Sequence, residues 1–519
     1  VFLVFNEGIR GTAMSLRPIF WALLMVLHAS GIASRGQGRC LGQDEPGHPL
    51  PVALQVVEAA CGECQFGMAG ESCDLAIRID GSTFFVDGTS IDDHGDAHAE
   101  SGLCQCVRKA LVSGHVADGR FVADQFRLIA APGTEVTISN EDAFERVWSI
   151  VNERFYRGDF NGVDWTHARA EFLPRARGAT DRRELSATIN QMLGLLHTSH
   201  THFYIRDDVE FYHLADIFSA GPLRLDVLPH FPDGRVTYTG IGVMTRRVED
   251  RWFISGVWEG SPAAQAGLRR GEQIVSIDGR PFAPIGSFAG KAGTVVAVET
   301  QTGPDERSRR TVAVTPIEIA PQACLLDAMR ASMRVINSGG KRIGYVRIWS
   351  YAGQPFQDAL VDAVAGDPFS SADALIVDLR DGWGGADPEY LQLFNRDIPV
   401  IASVDRDGKS ATFNSHWRKP AALLVNEGTR SGKELIAYAF RKAKLGPVIG
   451  TRTAGAVSAG TLVPIGSDGL LYVAARGVEV DGEVLEGRGV EPDHVVPWDL
   501  PFASQIDPQL DAALEILSR

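Results

Sequence analysis

Ser431 stands where a buried-strand pattern, Ala421 to Val425, ends in a short polar turn and a helical pattern begins. A hydroxyl at a helix N-terminus has two uses. It caps the helix by accepting a backbone N–H, or it attacks an acyl carbon while the free N–H groups of the first turn hold the developing oxyanion. Attack also needs a base, further oxyanion donors and a group that orients the base, and the chain offers a candidate for each. Leu196-His-Thr-Ser-His-Thr-His-Phe203 supplies His197, His200 and His202, which serve equally as proton acceptors, as metal ligands or as a polar helix-to-strand turn. Ala374-Leu-Ile-Val-Asp-Leu-Arg-Asp-Gly-Trp-Gly-Gly-Ala386 is a buried strand running into a glycine loop, whose backbone can approach a substrate and donate N–H groups. A tight strand-to-helix turn is the plain structural reading of that loop, and it spells neither the dinucleotide nor the lysine-containing phosphate fingerprint. Glu486, in Leu485-Glu-Gly-Arg-Gly-Val-Glu-Pro-Asp493, is an orienting carboxylate or a solvated loop residue.

A second cluster lies far upstream. Cys61-Gly-Glu-Cys64, Cys73, Asp92-Asp-His-Gly-Asp-Ala-His98 and Cys104-Gln-Cys106 bring thiols and imidazoles to a density that suits zinc or another soft-to-borderline metal. Cys61, Cys64, Cys73, His94, His98 and Cys104 are the candidate ligands. Six of the seven cysteines fall between Cys40 and Cys106, so disulfides compete with metal for the same sulfurs.

These residues need several folding units to position them. A chain of 519 residues exceeds one core, and length alone suggests roughly three or four domains. With 45% hydrophobic and 22% charged residues the composition is globular, and a net charge of −15 disfavours nucleic acid and anionic membrane as partners. Arg17, the apolar run Ile19 to Leu27 and the small residues Ala29, Ser30, Gly31, Ala33 and Ser34 have the order of an export signal, best begun at Met14, so residues 1–36 read as a signal with upstream residues. The run is too short to span a bilayer and no second long apolar segment follows. The expectation is a mature chain without a transmembrane span, exported to a bacterial periplasm or beyond. Residues 37–51 are a Gly/Pro-rich linker, and 52–131 a small β-rich Cys/His domain with a hairpin turn at Asp80-Gly81. Helical periodicity over 135–205 gives one helix with Phe144, Val147, Trp148 and Val151 inward, a turn at Asn161 to Trp165, and a second helix from Asp181 to Leu196. Residues 206–234 read as connecting strands, 235–320 as short strands with glycine turns, and 322–519 as alternating buried strands and helices. The fold class is a multidomain α/β protein with a layered α/β core.

The order of short motifs carries a resemblance. Asn161-Gly-Val-Asp-Trp165, Thr198-Ser-His-Thr201, Val377-Asp-Leu-Arg380 with Gly384-Gly385, Thr429-Arg-Ser-Gly-Lys-Glu434, Gly450-Thr-Arg-Thr-Ala-Gly455, Gly489-Val-Glu-Pro-Asp493 and Asp507-Pro-Gln-Leu510 follow one another as in the C-terminal-processing (tail-specific) and tricorn-type serine peptidases. That family also contains the interphotoreceptor retinoid-binding proteins. The resemblance covers residues 140 to 518 and implies a layered α/β peptidase core with a helical subdomain. It implies Ser431 as nucleophile, with N–H groups of Gly432 and of Gly384 or Gly385 as the oxyanion hole and no cofactor for catalysis. One branch activates its serine with a lysine at the position held here by Ala456, so that dyad is absent. The tricorn-like branch uses positions matching His200, Ser199 and Glu486: His200 takes the proton, and the other two orient the imidazole. Lys433 is two residues along the helix from Ser431 and faces elsewhere. An ordinary imidazole base would make activity fall as pH drops through about 6.5.

Tyr238-Thr-Gly-Ile-Gly-Val243 with Gly260-Ser-Pro-Ala-Ala-Gln-Ala-Gly267 resembles a PDZ domain, which implies that Gly240, Ile241, Gly242 and Val243 cradle a peptide terminus by β-augmentation. A structural β-module that binds nothing is the alternative. Residues 52–131 resemble a short uncharacterised bacterial domain, and no function follows. The expectation is an exported serine endopeptidase acting on polypeptides, through their C-termini where the PDZ-like module engages. Its rivals are a catalytically silent family member holding a peptide or apolar ligand, and a metal sensor built on the N-terminal domain.

Overall fold

The computed structural model describes residues 51–70, 72–129, 138–413, 416–503 and 506–519. The signal-like segment and nearly all of the expected linker lie outside them. Alternating apolar residues from Pro51 to Leu128 close into a five-stranded barrel, in which Leu75–Ile79 and Ser82–Asp87 are joined by Asp80 and Gly81, both at positive φ. That conformation is the one a two-residue hairpin turn requires.

Three helices follow, Asn140–Arg154, Trp165–Arg177 and Arg182–Gly194. The turn expected at Asn161 to Trp165 is present, and the middle helix, which the sequence reading did not give, starts at its end. Asp164 caps it by accepting the His167 N–H at 2.8 Å, and Pro174 together with a largely charged outer face hides its periodicity. The turn motif is itself structural, because Asn161 Nδ2 donates to Leu196 O at 2.6 Å and Thr198 Oγ1 at 3.0 Å, pinning the start of the histidine loop. Residues 206–234 are not connecting strands. Val209–Ser219 is a helix that buries Phe211, Tyr212, Leu214, Ala215 and Phe218. This spacing has helical period, and packing against the core outweighs the strand propensity of its aromatic residues.

From Val243 to Val314 a curled antiparallel sheet is ordered 309–314, 296–301, 273–277, 251–257, 243–248, which leaves Val243–Val248 as an edge. The last unit is a six-stranded sheet ordered Arg334–Ser338, Lys341–Arg347, Ala374–Asp378, Ala421–Val425, Val448–Gly450, His494–Val495, antiparallel at its first pair and parallel elsewhere. Ala374–Asp378 and Ala421–Val425 are buried along their whole length, as parallel strands covered on both faces must be. Arg380 fastens the end of one motif to another: its guanidinium donates to Asp378 at 2.6 and 2.9 Å and to Asp507 at 2.7 and 2.8 Å. A separate sheet pairs Gly469–Arg476 with His202–Ile205 in the register Tyr472↔His202, and so carries the histidine loop onto the core.

Candidate active site

The buried strand Ala421–Val425 delivers the chain to Ser431, which caps the helix Gly432–Lys442. Ser431 has φ 57° and ψ −131°, a conformation that L-residues rarely adopt and that costs on the order of 1–3 kcal/mol. The surroundings hold it there. Its N–H donates to Ala456 O at 2.9 Å and to Glu434 Oε2 at 3.2 Å. The Glu434 carboxylate also accepts Thr453 Oγ1, Gly455 N–H and Ala456 N–H at 2.5, 2.7 and 2.7 Å. The strained strand–turn–helix projects the side chain at a helix N-terminus.

The glycine loop lies directly against this turn. A Cβ at Gly384 would fall 2.5 Å from Ser431 Cβ, and one at Gly432 would fall 2.4 Å from Ala386 N, so only glycines allow the two backbones to meet. Gly432 is the first helical residue, and its N–H belongs to the free first turn. Gly384 and Gly385 line the same cavity as Ser431. The Tyr351 N–H takes the Gly384 carbonyl at 3.2 Å and braces the loop from behind.

His200 lies on the cavity wall with Ser199, and Tyr472 meets its ring edge-on at 5.0 Å. Glu486 Oε1 accepts the Ser199 N–H at 2.7 Å, and Oε2 accepts Ser199 Oγ at 2.9 Å, Val457 N–H at 2.8 Å and Ser458 N–H at 2.9 Å. Burial alone would raise the Glu486 pKa, but these donors hold it below the ordinary carboxylate value. The proton inventory then sets the tautomer. Ser199 Oγ gives its one proton to the carboxylate, so at 2.9 Å from His200 Nδ1 it can only accept. Nδ1 therefore carries the hydrogen and Nε2 keeps the lone pair, the form a general base needs. Among the described residues no hydrogen bond joins His200 to Ser431 directly; in ligand-free sites such bonds are often long and tighten with substrate.

Burial pulls the His200 pKa down to about 4; Glu486 opposes the fall and Arg430 adds to it. A solvated imidazole titrates at about 6.5, so this burial places the acid limb of activity below that value. Of the other two histidines, His197 is exposed and outside the cavity lining, whereas His202 lines it from an exposed strand position beside Tyr204. Lys433 points away from Ser431. Fully buried, its Nζ donates to the carbonyls of Ile348, Trp349 and Asp381 at 2.5, 3.3 and 2.9 Å. Burial draws its pKa down to about 7, with Asp378 and Asp381 opposing. Three carbonyl acceptors around one nitrogen suit an ammonium, so Lys433 braces the glycine loop and has no lone pair for Ser431. Sequence reading set Lys433 aside correctly but missed this bracing role and that of Glu434. The charged pair Lys433-Glu434 just past Gly432, in a helix whose remaining inward residues are apolar, was the available signal.

The cavity holds about 360 Å³, and a second one of about 550 Å³ is lined by Gly240, Ile241, Gly242 and Val243 together with Trp258 and His213. Trp383, the residue before Gly384, lines both, and His213 stacks on it at 4.8 Å. In the barrel, the sulfurs of Cys61, Cys64, Cys73 and Cys104 gather within 4.8 Å of one another. His94 and His98 stand outside that group: His94 bonds Thr89 and packs on Phe126, and His98 is exposed. The expected ligand set is corrected accordingly, and the described cysteines form no disulfide.

Residues 342–496 match peptidase family S41, 139–194 the tricorn protease C1 domain and 253–290 a PDZ domain, while 55–129 match a family of unknown function, DUF6370. The chain is 24% identical over 390 residues to a carboxyl-terminal-processing protease of Synechocystis, spanning 72% of this chain and 85% of that protein. It is 26% identical over 292 residues to the carboxy-terminal processing protease CtpA of Bacillus subtilis, spanning 53% and 59%. Among solved structures, the photosystem II D1 C-terminal processing protease aligns over 74% of this chain and 98% of its own length, with 19% identity and a TM-score of 0.45. Family matches in this order, together with relatives named as carboxyl-terminal-processing proteases, support a serine peptidase of the C-terminal-processing and tricorn type, and serine peptidases of that family need no catalytic cofactor.

Proposed function

We propose that the protein is an exported endopeptidase in which Ser431 is the nucleophile, His200 the general base and Ser199 with Glu486 the groups that orient it. The observation that carries this reading is the chain of hydrogen bonds from Glu486 through Ser199 Oγ to His200 Nδ1, which leaves Nε2 basic in the cavity that Ser431 shares. His200 Nε2 takes the Ser431 hydroxyl proton as Oγ adds to the scissile carbonyl carbon. The oxyanion accepts N–H groups of Gly432 and of Gly384 or Gly385, and the imidazolium gives its proton to the departing amine. Water, deprotonated by the same nitrogen, then releases the acyl group and restores the serine.

Recruitment falls to the PDZ domain. Its edge strand Val243–Val248 is free to pair with an extended peptide, and Gly240 to Val243 stand at the mouth of the adjoining cavity, suited to a terminal carboxylate. The names of the relatives agree with action at carboxyl termini. Export rests on the order of charged, apolar and small residues from Arg17 to Ser34.

The test is cleavage of casein by the purified chain beside Ser431→Ala. Cleavage that disappears in the variant supports the proposal. Persistent cleavage by Ser431→Ala refutes it, and inactivity of both, with no labelling by a serine-directed phosphonate, leaves the silent binding protein as the better reading.

A further inference from the structure

The peptidase reading leaves the barrel's four gathered cysteines without a use. Cys61 ends the first strand and caps the short helix Gly62–Phe66, and Cys64 lies within that helix. Cys73 precedes the strand Leu75–Ile79, and Cys104 sits in the long connection between Asp87 and Arg108. Backbone hydrogen bonds stitch these segments together: Cys61 N–H to Leu103 O at 2.9 Å, Gly62 N–H to Asp74 O at 2.8 Å, and Cys104 N–H to Ala97 O at 2.8 Å. Gln65 Nε2 adds a bond to Cys104 O at 2.8 Å.

The four sulfurs all lie within 4.8 Å of one another, and Cys64 and Cys73 Sγ are 4.0 Å apart. Zinc–sulfur bonds of about 2.3 Å in a tetrahedron set sulfur–sulfur edges of roughly 3.8 Å, whereas a disulfide needs about 2.05 Å. Two disulfides would require two close pairs and give no reason for all four sulfurs to share a centre. Ligation of one ion requires that convergence. The Cys64 N–H also points at Cys61 Sγ, at 3.4 Å, which is a contact that favours a thiolate. Cys61 and Cys104 are buried, whereas Cys64 is exposed and Cys73 partly so, which opens one side of the cluster to an arriving metal.

We propose that Cys61, Cys64, Cys73 and Cys104 form a tetrathiolate site for one zinc ion. Four protein ligands close the coordination sphere, so the ion is structural. It ties the long connection to the start of a barrel too small to be secure on its core alone.

Metal analysis of the full chain, purified without chelator, tests this. The expected result is one zinc per chain, with an X-ray absorption shell of four sulfurs at about 2.3 Å. Cys64→Ser and Cys73→Ser, at the solvent side, should each lower bound zinc to below about a tenth of the wild-type value under mild chelation. Cys106→Ser and the double variant His94→Ala/His98→Ala should keep it. Should the ligand variants misfold, the intact mass of the untreated wild-type chain decides. No zinc with a mass short by four hydrogens means two disulfides and overturns the site. So do absence of zinc with free thiols, iron in its place, or zinc retained in both ligand variants.

Discussion

Ser199→Ala removes a hydroxyl that touches both Glu486 and His200. In the wild type, Ser199 Oγ donates to Glu486 Oε2 and stands 2.9 Å from His200 Nδ1. The variant leaves Glu486 three backbone donors, from Ser199, Val457 and Ser458, so the loop keeps its anchor. What disappears is the acceptor for Nδ1–H, which matters most when the imidazole becomes positive. A hydrogen bond to a charged partner contributes about 1.5–3 kcal/mol, and at about 1.4 kcal/mol per factor of ten its loss lowers kcat by about 10- to 150-fold. KM should hold, because Ser199 acts through the imidazole and has no assigned contact with substrate. The assay is steady-state hydrolysis of a fluorogenic peptide, with Ser199→Thr beside it to restore the hydroxyl. A kcat within about twofold of wild type, or a loss confined to KM, would refute the relay.

Three further outcomes follow from the same geometry. With the His200 pKa lowered to about 4, the base stays neutral as pH falls through 6.5, so kcat/KM should hold until pH 5 and drop as pH nears about 4; a midpoint at about 6.5 would mean that the imidazole is solvated. Lys433→Met strips three carbonyls of a buried donor and should cost about 3–5 kcal/mol, lowering the calorimetric Tm by roughly 6–20 °C. An unchanged Tm would show that the glycine loop does not depend on the ammonium. Leu214, Ile217 and Phe218 give the cavity at Ser431 an apolar wall, so peptides with an apolar residue before the scissile bond should exceed their aspartate counterparts by about 10-fold or more in kcat/KM; equal rates would place that side chain elsewhere.

The core was legible because its parallel strands are unbroken apolar runs, and because the motif residues bind one another. Arg380 meets Asp507, Asn161 holds the loop before Ser199, and Thr453 Oγ1 donates to Glu434 while accepting the Val490 N–H at 2.7 Å. What the sequence obscured depends on distant contacts. The helix Trp165–Arg177 buries only five side chains behind a charged face, and Val209–Ser219 carries aromatic residues that suit a strand until the core packs against them. The motif order points to His200 among the three histidines, but the strand pairing between Tyr472 and His202 that carries its loop onto the core is a contact across which no local pattern reaches. The lowered pKa of His200 likewise comes from burial by distant segments, with Arg430 adding to it.

The most direct test of the central claim is covalent labelling of the full chain by a serine-directed phosphonate, mapped by mass spectrometry, with His200→Ala in parallel. The account predicts a single adduct on Ser431 that forms at least about 100-fold more slowly when His200 is absent. No adduct on Ser431, or an equal rate in the variant, would contradict it.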